Sequence, residues 1–85
     1  MSKVIGSIKK QIVSDDGEII LKDFDLECHI HRVLKKDNQT EILLRVSDKQ
    51  SIIEETLLIN GMIDKIEGLV TYLNKFDAFN VYLGD

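Results

Sequence analysis

Between Phe24 and Leu34 the chain alternates with period two: Phe24, Leu26, Cys28, Ile30, Arg32 and Leu34 hold the even positions, and Asp25, Glu27, His29 and His31 hold odd ones. Successive side chains of a strand point to opposite faces, so this segment has one face to bury and one to wet. A helix would scatter the same residues around its circumference. The chain must therefore supply a second layer that covers the apolar face.

The flanking segments carry the same period. Val4, Ile8 and Ile12 recur on even positions, which predicts a strand over 3–13. Ser14-Asp15-Asp16-Gly17 supplies a turn, with Gly17 at the left-handed position. A three-residue loop 15–17 sets Ser14 opposite Glu18, Ile12 opposite Ile20 and Val13 opposite Ile19. The stretch from Glu18 to Lys36 is long for one strand, and the polar pair Lys22-Asp23 marks a bend or bulge. Thr40 to Ser47 again places Ile42, Leu44 and Val46 on even positions. Face parity selects a three-residue loop 37–39, which pairs Leu34 with Ile42, Arg32 with Leu44 and Ile30 with Val46.

Residues 49–59 admit two readings, because Ser51-Ile-Ile-Glu54 has the form of a capping box while Ile52, Ile53, Leu57, Leu58 and Ile59 suit a strand. The strand is favoured, since Asn60-Gly61 breaks the pattern and Asn60 can cap a better helix just downstream. That helix sets Met62, Ile63, Ile66, Leu69, Val70, Leu73 and Phe76 on one side and Asp64, Lys65, Glu67, Thr71, Asn74 and Lys75 on the other. Phe79 to Leu83 reads as a short edge strand or a docked tail. The expectation is one α+β domain over 1–85: a curved antiparallel sheet of four to five strands, a meander, with one C-terminal amphipathic helix on its apolar face.

Composition bounds the function more than it specifies it. Ile, Leu, Val and Phe make 31 of 85 residues, well above the roughly 20% below which chains stay disordered. Proline and tryptophan are absent, so core volume comes from branched aliphatic side chains, which favour strands. A chain this short buries only about 60% of its unfolded surface, so association with a partner or a second copy is expected. The size and the Ile/Lys/Asp/Asn-rich, proline-free composition suit a protein of a phage or other mobile element. The start, MSKVIGSIKK, lacks the apolar core of a signal peptide, and the apolar runs of three residues are far short of the ~20 that span a bilayer. A lone cysteine fits a reducing compartment, and the reading is cytoplasmic.

Chemistry-bearing clusters are sparse. Cys28 points away from His29 and His31 in a strand, so no metal site or Cys/His nucleophile is expected. Asp23, Asp25 and Glu27 read as a wet strand face, and the five glycines are scattered, so neither an enzyme nor a bound cofactor is expected. Lys9, Lys10, Lys22, Arg32, Lys35 and Lys36 on or beside the sheet raise a single-stranded nucleic-acid binder as the alternative, but equal numbers of acids accompany them and no aromatic platform is present. Residues 1–47 are electrically balanced, so the whole formal charge of −4 lies beyond them, in Asp48, Glu54, Glu55, Asp64, Glu67, Asp77 and Asp85 opposed by three lysines. Charge of this sign opposes nucleic acid and acidic lipid. The leading expectation is a small protein-binding protein, an inhibitor, adaptor or accessory subunit. Glu54, Glu55, Asp64 and Glu67 would engage a basic site on another protein, with Tyr72 and Tyr82 as anchors. A structural homo-oligomer joined through an exposed strand edge is the third candidate.

Overall fold

The computed structural model describes residues 3–48 and 50–84. Its elements are β1 (Lys3–Val13), β2 (Ile19–Leu34), a 3₁₀ turn (Lys35–Asp37), β3 (Gln39–Ser47), β4 (Ile52–Asn60), α1 (Ile66–Leu73) and β5 (Phe79–Gly84). The strands form one antiparallel sheet in the order β4-β3-β2-β1-β5, giving an α+β fold. The first four strands run as a meander, and β5 returns to lie beside β1.

The first hairpin has the predicted register. Ile12 pairs with Ile20 and Val13 with Ile19, and Ser14 N–H donates to Glu18 C=O at 2.8 Å. Gly17 adopts φ +86°, a conformation that a β-branched residue reaches only under strain. The Ser14 hydroxyl donates to Asp16, and this bond with the nearby backbone holds the Asp16 carboxyl below its ordinary range. No bend interrupts the ladder at Lys22-Asp23, where Lys10 pairs with Lys22 and Lys9 with Asp23 without a shift.

The irregularity sits one hairpin later and overturns the expected register. Leu26 pairs with Val46, Cys28 with Leu44 and Ile30 with Ile42, after which the register shifts and Arg32 pairs with Glu41, Val33 with Thr40 and Leu34 with Gln39. His31 is the extra residue of this bulge. One inserted residue reverses the alternation, so Arg32 turns off the apolar face and Val33 turns onto it. The gain is electrostatic: an unpaired guanidinium on the core face would be costly, whereas Arg32 Nε now lies 3.1 Å from Glu41 Oε1. The turn that follows is a 3₁₀ turn closed by Asn38 at φ 52°, ψ 48°. Asparagine tolerates that left-handed conformation.

Residues 52–60 form a strand, in pairing with β3 from Ser47–Ile52 through Gln39–Asn60. Asn60 therefore ends β4 and does not cap the helix, which is shorter than the spacing predicts. Thr40 is the cause. Its buried hydroxyl donates to Gly61 C=O and accepts from Ile63 N–H, both at 2.8 Å, tying 61–63 to β3. The helix starts only at Ile66, after Lys65 in extended conformation, so Met62 and Phe76 lie outside it and are half exposed. At its other end the Asn74 side chain donates to Val81 C=O at 2.8 Å and accepts from Val81 N–H at 3.0 Å, joining the helix end to β5.

Leu69 and Leu73 of α1 belong to one buried cluster with Val4, Ile8, Leu26, Cys28, Ile42, Leu44, Val46, Ile59 and Val81. Gly6 permits the approach of β5, because a Cβ there would meet Asn80 O at 2.1 Å. Leu69→Ala is expected to lower the unfolding free energy by about 2–5 kcal/mol, read from a urea titration. Phe76→Ala, beyond the helix, should cost under about 1.5 kcal/mol, and equal losses for the two would place the core elsewhere.

Candidate protein-binding surface

The pairing limits single out two parts of the sheet, the end of the first hairpin and β4, besides the other outer strand, β5. β5 pairs with β1 only over Lys3–Ile8, and β3 pairs with β2 only over Asp25–Leu34. Beyond these limits β1 and β2 continue together to the turn at 14–18 as a two-stranded ribbon. The extents of 47 × 28 × 22 Å and a radius of gyration of 14.0 Å reflect this projection; about 12 Å is usual for the length. On the ribbon face opposite the core, Val13 and Ile19 are cross-strand partners and Leu21 follows two residues on, with exposures of 70%, 69% and 67%. Ile20 on the other face is 41% exposed. Asp15, Asp16 and Glu18 lie exposed in and beside the turn.

The second part is β4, an outer strand of the sheet. Ile53 and Leu57 share the core face with Ile59, while Ile52 and Leu58 share the opposite face. All four are exposed: Ile52 65%, Ile53 53%, Leu57 37% and Leu58 49%.

The six side chains singled out from sequence are distributed over the molecule. Glu54 and Glu55 point to opposite faces of β4. Glu54 Oε1 lies 3.2 Å from Arg45, and Glu55 Oε1 lies 3.1 Å from Lys10 on β1, beyond two intervening strands. Asp64 is exposed in the connection before α1, and Glu67 is exposed in its first turn. Tyr72 is half buried against the core, its ring edge-on to Phe76 at 5.4 Å between centroids. Tyr82 is exposed on β5, opposite Ile5 and at the other side of the sheet from β4. Asp85 lies outside the described residues.

Four cations of the sheet lie against carboxylates. Lys3 with Glu27, Lys10 with Glu55, Arg32 with Glu41 and Arg45 with Glu54 all lie at 3.1–3.2 Å. A solvent-open depression of about 570 Å³ is lined by Lys22, Asp23, Asp25, Ser47, Asp48 and Gln50. The Gln50 and Ser51 N–H groups donate to Asp48 at 2.8 and 2.9 Å and hold its carboxyl below the ordinary range. Cys28 faces the core and His29 the other side, and His31 Nε2 lies 3.7 Å from Glu41. No helix of the described residues is long and apolar enough to cross a membrane. Comparison with protein-family models, curated proteins and solved structures returned no match.

Burial pushes the Cys28 thiol up to about 12, aided by the Glu27 charge. Stability tied to the neutral thiol is complete below the unfolded value near 9 and is lost as pH rises from there toward 12. A thiol reagent at pH 8 should leave the native protein unmodified and label it once urea unfolds it. Rapid labelling of the native form would show that Cys28 is accessible.

Proposed function

We propose that the chain is a protein-binding protein, acting as an inhibitor, adaptor or accessory subunit, and that it meets its partner with the end of the β1–β2 ribbon. The observation that carries this reading is the contiguous patch of Val13, Ile19 and Leu21, each about two-thirds exposed on a ribbon with no neighbour on either edge. An isolated two-stranded ribbon is marginal in water. Apolar side chains there gain most from a surface that covers them. Asp15, Asp16 and Glu18 beside the patch favour an apolar groove rimmed by basic residues. Exposed Asp64 and Glu67 add to the long-range attraction of such a partner. Glu54 and Glu55 add less, because Arg45 and Lys10 already oppose them. Lys10 and Arg32, two of the six cations that a nucleic-acid face would use, are held by Glu55 and Glu41, which weighs against that reading.

The proposal includes a sheet curved around its helix. Two observations support this: the Lys10–Glu55 pair spans strands that a flat sheet would hold about 14 Å apart, and Leu69 and Leu73 are fully buried among strand residues.

The test is affinity capture from the native host with three baits: the wild type, Ile19→Ser with Leu21→Ser, and Asp64→Lys with Glu67→Lys. A partner held by the wild type should be lost from the ribbon variant. It should bind the charge variant with a slower on-rate and a weaker dependence on salt. Exposed substitutions shift stability by about 0.5 kcal/mol each, so parallel melts separate lost binding from lost folding. Equal capture by all three baits would remove the ribbon and the acids together from the interface.

A further inference from the structure

We infer that β4 is the seam of a homodimer, in which the β4 strands of two copies pair antiparallel and join their sheets into one. This surface is separate from the ribbon, and the inference stands or falls independently of it. Exposed edge strands are normally protected from such pairing by proline, by lysine, by a bulge or by brevity. Over its nine residues β4 has no proline and no lysine, and its ladder with β3 runs from end to end without a shift. Its only charges, Glu54 and Glu55, are opposed within the chain by Arg45 and Lys10. Four large apolar side chains are left in solvent, two on each face.

The strand is complementary to itself in one register. A two-fold axis perpendicular to the sheet keeps the core face of one copy beside that of the other. Full overlap of Ile52–Asn60 then centres the axis on Thr56. Ile53 faces Ile59 of the second copy, Glu55 faces Leu57, Glu54 faces Leu58, and Ile52 faces Asn60. Sliding two residues one way sets Glu55 against its own copy, and like charges directly opposite repel. Sliding the other way leaves Ile52 beyond the paired strand and sets Ile53 against Gly61. The backbone edge and the four side chains bury on the order of 1,000 Å² in total, the lower end of a specific interface. This register sets no like charges opposite each other and repeats the Ile53–Ile59 contact at both ends, so the strand supplies its own partner in a second copy.

Sedimentation of the wild type over a range of concentrations should show a monomer passing to a species of twice the chain mass. Thr56→Lys, which sets two ammonium groups together at the axis, should remain monomeric while melting as a folded protein. Thr56→Cys should form a disulfide-linked dimer under mild oxidation, because its own thiol is exposed and Cys28 is buried. Asn80→Cys on β5 should not. A wild type that stays monomeric throughout overturns the inference. So does a dimer that survives Thr56→Lys, or a Thr56→Cys protein that does not cross-link, since either places the seam elsewhere.

Discussion

An eight-residue helix is about 12 Å long, and five strands span nearly 20 Å from first to last. One such helix cannot shield a sheet of that width. In this chain α1 lies against β5, β1 and β2, while Ile63, from the segment tied to Thr40, packs against the same cluster. On the core face Ile20 of the ribbon and Ile53 and Leu57 of β4 stay exposed. Ile53 and Leu57 are the part of this shortage of cover that the inferred seam meets, whereas Val13, Ile19 and Leu21 lie on the face that no layer covers.

Thr40 sets how short the helix is. The residue is fully buried, and its hydroxyl needs partners there. Gly61 and Ile63 supply them, and no buried side-chain nitrogen or oxygen among the described residues lacks one. The apolar spacing that begins at Met62 is genuine, yet local periodicity weighs less than a buried hydroxyl satisfied from 21 residues away. A sequence pattern cannot show that partner, so the helix start was out of its reach.

The strands were legible wherever one loop fixed their register. Ser14-Asp15-Asp16-Gly17 named its own turn, and the pairing of Ile12 with Ile20 followed. The next hairpin was not legible, because parity identifies a face and not an offset. Leu26, Cys28 and Ile30 do share the face of Val46, Leu44 and Ile42, but the ladder lies four positions from the expected one up to Ile30 and three beyond the extra residue at His31. Arg32 among apolar neighbours was the available signal. The surface patches had a signal as well: runs such as Ile19-Ile20-Leu21 and Leu57-Leu58-Ile59 place apolar side chains on both faces of a strand. A sheet with one covered face can bury only one of those sets. What the sequence could not show was that Glu54 and Glu55, beside the second run, are spent on Arg45 and Lys10.

The clasp of Asn74 on Val81 carries a kinetic consequence. Each strand pairing within the meander joins neighbouring segments, whereas β5 meets β1 across most of the described chain and bears the largest loop-closure entropy. The two bonds of Asn74 link helix and fifth strand through seven residues, so they order or loosen as one cooperative unit. Amide exchange along Val81 and Leu69 would therefore share a single opening rate, distinct from that of the meander beneath.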